Sequence, residues 1–192
     1  HSRGEPNNSR GNEDALQLQA ASSDQLPYED INPFAFELAI APHLAARAVG
    51  QTLTIAGVTR AMRPQLERST NLTLIEGVGG WAVPLNARER MSDVVKALGL
   101  PVILVVGMRL GCLNHALLTR DAILASGCQL AGWIPNRIEP EMSYFLENVE
   151  TLAHELGQAI DFRCFFSHPH SHNLSLLQRQ AETEDALMRS RL

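Results

Sequence analysis

The chain has 192 residues, 45% of them hydrophobic and 19% charged, with a formal net charge of −5. One globular domain with a real core is therefore expected. The acidic balance disfavours binding to nucleic acid by bulk electrostatics, and no apolar run reaches the roughly 18 residues of a membrane span.

Residues His1 to Asn12 are rich in Asn, Arg, Ser and Gly and read as loop. The polar start gives no signal-peptide pattern, so a cytoplasmic setting is expected. Asn12 to Ala21 predicts a short helix whose first turn carries Glu13 and Asp14, where the dipole favours acids. Asp14 is a cap, a solvated charge or a ligand. Asn32-Pro33-Phe34 is an extended or turn segment. Pro42 opens a helix that Gly50 closes. Thr54 to Arg68 predicts a helix with Ile55, Val58 and Met62 on one face and a kink or break at Pro64.

Leu72 to Asn114 is the centre of the chain. Leu72-Thr73-Leu74-Ile75 predicts a buried strand ending at Glu76, followed by Gly77-Val78-Gly79-Gly80. Continuous apolar runs suit strands of a parallel sheet, and ligands bind beyond the carboxyl ends of such strands. Glu76 beside glycines is either a solvated turn residue or an oxygen ligand for a hard cation such as Mg²⁺. Ser92 to Leu98 predicts a helix capped by Ser92 and ended by Gly99. Val102 to Val106 is the second strand. Gly107 to Gly111 turn into a helix from Cys112 to Ala125, closed by Gly127. Gln129 to Ile134 is a third strand with Pro135-Asn136-Arg137 as its exit loop. Glu141 to Ala159 carries the best helical stripe, Met142, Phe145, Leu146, Val149, Leu152 and Leu156. The alternation implies an α/β fold with parallel crossovers.

Cys112, Cys128 and Cys164 have no disulfide-framework spacing and are expected as reduced thiols. Cys164, His168, His170 and His172 are metal-capable, but their spacing fits no zinc pattern and they read as an exposed tail. His43 and His115 read as helix residues at a surface or subunit contact.

Several blocks carry more than composition can. Leu74-Ile75-Glu76-Gly77-Val78-Gly79-Gly80-Trp81, then Val83-Pro84-Leu85, resembles a signature of the dethiobiotin synthetase family. So do Pro101 to Thr119 and Ala131-Gly132-Trp133-Ile134-Pro135-Asn136. Asn12 to Leu16, Asn32-Pro33-Phe34 and Ala41-Pro42-His43 resemble shorter blocks of the same family. The match runs from about residue 12 to 158, inside a single domain whose flanks, 1–11 and 161–192, read as loop or irregular tail.

The resemblance implies a P-loop NTPase-like parallel sheet flanked by helices. It also implies a homodimeric, Mg²⁺-dependent ligase that closes a cyclic urea on 7,8-diaminopelargonate with CO₂ and ATP, in biotin synthesis. Asp14 and Glu76 would hold Mg²⁺ and the nucleotide phosphates. Gly77, Val78 and Gly79 would line the phosphate side, and Asn136 would contact adenine. Gly111, Cys112, Leu113 and Asn114 would hold the substrate carboxylate across the dimer interface, at a helix N-terminus suited to anions. Neither the family's Gly-x-x-x-x-x-Gly-Lys-Thr loop nor its Lys-Pro-x-x-Ser-Gly motif occurs in these residues, so no catalytic lysine is assigned. Phe162 to His172 replaces the family's Gly-x-x-Pro block, and Arg137 replaces an acidic or polar residue. The expectation is a family chain short of its first, P-loop strand, which turns over poorly on its own. Without that strand, 72–76 and 102–106 are expected to need other partners. A non-catalytic dimerising or regulatory paralogue is the alternative, and the Gly111 to His115 block disfavours a cobyrinate-type amide ligase.

Overall fold

The computed structural model describes residues 12–157 and 159–160. Its elements are α1 (Glu13–Ala21), α2 (Tyr28–Ile31), α3 (Pro42–Ala48), α4 (Ile55–Leu66), α5 (Met91–Leu98), β1 (Val102–Met108), α6 (Cys112–Ala125), β2 (Leu130–Arg137) and α7 (Phe145–Leu156). The two strands form a parallel pair, with Leu104 opposite Trp133, Val106 opposite Pro135 and Met108 opposite Arg137. The expected α/β class, a parallel sheet flanked by helices, is what is found.

The helix ends follow local chemistry. The Asn12 carboxamide oxygen accepts from Ala15 N–H at 3.1 Å and caps α1. Thr54 Oγ1 accepts from Gly57 N–H at 3.0 Å and caps α4. Pro64 lies inside α4, which ends two residues later at Leu66, in place of the expected run to Arg68. The start of α5 corrects an expectation. Arg90, not Ser92, is the N-cap, and its N–H donates to Asp93 Oδ2 at 2.8 Å. Gly99 closes α5 in the left-handed region at φ 66°. Helix α7 is shorter than its apolar stripe, because Tyr144 adopts φ 55° and interrupts the helix expected from Glu141.

The largest difference lies at 72–76. These residues form no strand. Leu72 and Leu74 are 61% and 66% exposed, so the buried strand expected there is not observed. A strand needs a neighbour for its backbone groups, and among the described residues β1 pairs with β2 alone. The expected shortage of partners is seen in both segments among the described residues: 72–76 pairs with no strand, and β1 is paired with β2 along one edge only.

Two apolar clusters hold the described residues together. Val106, Met108, Cys112, Ala116, Trp133 and Leu152 are buried between the sheet, α6 and α7. Ala46, Leu53, Val58, Leu85 and Val94 are buried between α3, α4 and α5. Arg120 ties α6 to α7. Its guanidinium donates to Asp121 Oδ1 at 2.9 Å and to Glu155 O at 2.8 Å. The Asp121 hydrogen bond, with a smaller contribution from Glu155, raises the Arg120 pKa against a lesser effect of burial, so the guanidinium stays charged at any working pH. Cys112 and Cys128 are free thiols, as expected. Cys164, His168, His170 and His172 lie outside the described residues.

Candidate functional site

The carboxyl ends of β1 and β2 lie side by side, because Gly107 is the register partner of Asn136. Asn136 therefore belongs to the strand end itself, not to the exit loop expected for it, and its side chain is exposed there. Gly107 keeps this edge narrow. A Cβ on it would stand 3.1 Å from Ile138 Cδ1. Arg137, the next residue of β2, places its guanidinium carbon 3.7 Å from the centre of the Phe145 ring and donates to Pro140 O at 3.2 Å. Those two contacts brace the loop between β2 and α7.

Helix α6 begins four residues beyond β1. Gly111 turns the chain into it at φ 91°. Cys112 N–H already donates to Arg109 O at 3.0 Å, and the Cys112 side chain is buried in the core. Leu113 packs on the same core, whereas Asn114 is exposed. No bond from the Leu113 or Asn114 N–H to a residue ahead of the helix is found among the described residues. The anion-binding capacity of this helix start therefore rests on those two N–H groups and the helix dipole.

Glu76, Gly77, Val78 and Gly79 all lie on an exposed segment, and Asp14 is exposed in the first turn of α1. Neither carboxylate is engaged in a hydrogen bond or ion pair within the described residues that would hide it. No group of three or more His, Cys, Asp or Glu side chains able to hold a metal occurs among the described residues. Carboxylate oxygens are the donor type that Mg²⁺ takes, and Mg²⁺ usually keeps several waters and shares its remaining positions with phosphate. The loop after Glu76 is shaped by glycine. Gly79 has φ 72°, and a Cβ there would lie 2.9 Å from Val83 Cγ2. Gly79→Ala combines left-handed backbone strain with that contact, and a loss of about 1–2 kcal/mol in urea unfolding is expected.

One polar bracket was not found from the sequence. Asn86 Oδ1 accepts from Arg88 N–H at 2.9 Å and from Glu89 N–H at 3.1 Å. Asn86 Nδ2 donates to Leu53 O at 2.7 Å and to Glu89 Oε2 at 2.6 Å. Glu89 Oε2 also accepts from Ile55 N–H, the first of α4, at 3.1 Å. The Asn-x-x-Glu spacing at 86–89 is the signal that could have revealed it.

A parallel strand pair flanked by helices places the chain in the α/β class, whose ligands bind beyond the carboxyl ends of the strands. A protein-family model described as an AAA domain matches residues 5–160, and the chain belongs to that family. Within it, the chain is 54% identical over 145 residues to the ATP-dependent dethiobiotin synthetase BioD of Pseudomonas paraeruginosa, covering 76% of this chain and 64% of the relative. It is 50% identical over 146 residues to the protein of the same name from Xanthomonas oryzae pv. oryzae, covering 76% and 65%. The resemblance to dethiobiotin synthetases expected from the sequence blocks is borne out. The chain spans just under two thirds of the length of these relatives. No helix among the described residues is long and apolar enough to cross a membrane.

Proposed function

We propose that this chain carries part of the active site of an ATP-dependent dethiobiotin synthase, which forms a cyclic urea from 7,8-diaminopelargonate and CO₂. The observation that carries this reading is the 54% identity to a dethiobiotin synthetase over 145 residues, a span that includes the exposed Glu76 loop, the Asn136 strand end and the start of α6. Ring closure needs a carbamate oxygen converted to a leaving group by phosphorylation. Such chemistry depends on neutralising phosphoryl charge more than on covalent help from the protein.

Glu76 and Asp14 would hold Mg²⁺, which when bound screens the phosphate oxygens. The Gly77 to Gly79 backbone would lie along the phosphates, where side chains would obstruct approach. Asn136, exposed beside Gly107, has both a donor and an acceptor to offer to the adenine edge. The Leu113 and Asn114 N–H groups would hold the substrate carboxylate. Cys112 would then act only through its place in the core. A homodimer would bring that helix start to the partner's nucleotide half.

Asn136→Ala in the intact protein that carries these residues tests the adenine contact. The expected outcome is about a tenfold rise in KM for ATP, the worth of one good hydrogen bond, with KM for diaminopelargonate unchanged. Equal rises for both substrates would instead mean that the strand end has been disrupted.

A further inference from the structure

Directly after the glycine loop, the chain at 81–92 doubles back on itself. Ser92 N–H donates to Trp81 O at 3.1 Å, Met91 N–H to Val83 O at 2.9 Å and Leu85 N–H to Glu89 O at 2.9 Å. Pro84 and Arg90 form an antiparallel bridge between the two arms. The glycine loop rests on this hairpin. A Cβ on Gly77 would stand 4.0 Å from Met91 Cγ, and one on Gly79 would stand 2.9 Å from Val83 Cγ2. The path of 77–79 therefore follows the placement of both arms.

Two kinds of contact place the hairpin. Leu85 is buried with Leu53, Val58 and Val94, a packing that holds the hairpin close to α4 and α5 without fixing its direction. Direction comes from the side chains of its turn. Asn86 Nδ2 donates to Leu53 O at 2.7 Å, and Glu89 Oε2 accepts from Ile55 N–H at 3.1 Å. The same Glu89 oxygen accepts from Asn86 Nδ2 at 2.6 Å, so the two anchors act as one unit. Glu89 is half-buried, and the dipole at the start of α4 offsets its charge. Hydrogen bonds to an ionised group are stronger than neutral ones. A loop of glycines has little stiffness of its own, because glycine loses the most conformational freedom on ordering. Its order must come from what it rests on.

We propose that Glu89 is a positioning residue of the nucleotide site. By fixing the hairpin to the start of α4, it sets the path of the 77–79 backbone along the phosphates. It touches no reacting atom. The inference deepens the synthase reading and rests on its assignment of 77–79 to the phosphates.

The test is steady-state kinetics of Glu89→Ala in the intact protein that carries these residues. The KM for ATP is expected to rise roughly tenfold. The KM for diaminopelargonate should stay at the parent value, because the hairpin holds no residue assigned to that substrate. Glu89→Gln keeps an oxygen that can accept from Ile55 N–H and should bring the KM for ATP back towards the parent value. A merely structural loss would lower kcat through a smaller folded fraction and leave both KM values alone. A parent KM for ATP in Glu89→Ala, equal rises for both substrates, or no recovery in Glu89→Gln overturns the inference. If circular dichroism shows that Glu89→Ala does not fold, Glu89→Asp, one methylene short of Ile55 N–H, is held to the same outcomes. Glu76→Gln measured alongside separates the failures. Parent kinetics in both variants overturn the phosphate assignment and this inference with it. A loss in Glu76→Gln with a parent KM for ATP in Glu89→Ala overturns the positioning role alone.

Discussion

Trp133→Ala is expected to destabilise the chain by about 3–5 kcal/mol, the usual cost of removing a large buried aromatic side chain. Domains of this kind are stable by only about 5–15 kcal/mol, so much of the folded population could be lost. Trp133 is fully buried. It sits opposite Leu104 in the sheet and packs with Met108, Cys112 and Leu152. Its Nε1–H donates to Gly157 O at 2.7 Å, and its own carbonyl accepts from Ile160 N–H at 2.9 Å. One side chain thus ties β2 to the core and to the end of α7. Urea unfolding checks the figure, and Trp133→Phe should cost less because most of the apolar contact survives. A loss below about 1 kcal/mol for the alanine variant would show that this cluster does not carry the fold.

Glu76→Gln is expected to lower kcat/KM for ATP on the order of 100-fold in the intact protein, with unfolding unchanged. Losing one preorganised charge interaction with a transferring phosphoryl group carries that order of effect. The exposure of Glu76 is what separates the two readouts. No core packing depends on it, so a kinetic loss cannot be attributed to the fold. Raising Mg²⁺ should recover part of the loss if the carboxylate holds the metal. A variant with parent kinetics would return Glu76 to a solvated turn residue.

Helices whose signals are local were legible in the sequence. Helix α6 has the expected bounds, because Gly111 and the Ala125-Ser126-Gly127 end are read within a few residues. Helix α7 was overextended, since an apolar stripe cannot reveal that Tyr144 turns left-handed. Strand β2 runs three residues past its expected end, through Pro135. Proline is tolerated on an edge strand, and β2 has only one strand neighbour among the described residues. Residues 72–76 have every local feature of a strand and are not one. Pairing is a non-local property, and no run of side chains supplies its own neighbour.

The candidate site divides in the same way. The blocks around Glu76, Asn136 and Gly111 were legible as family motifs, and the family is the one that relatives at 50–54% identity share. The use of Cys112 N–H by Arg109 O, and the Asn86–Glu89 bracket, depend on three-dimensional hydrogen bonding that spacing alone does not fix.

The most direct test of the synthase reading is dethiobiotin formation by the intact protein that carries these residues, supplied with diaminopelargonate, bicarbonate, ATP and Mg²⁺. The account predicts dethiobiotin and ADP in equal amounts, with neither formed when diaminopelargonate is left out. ATP breakdown without dethiobiotin, or a stable folded dimer with no turnover, would contradict it and favour a non-catalytic paralogue.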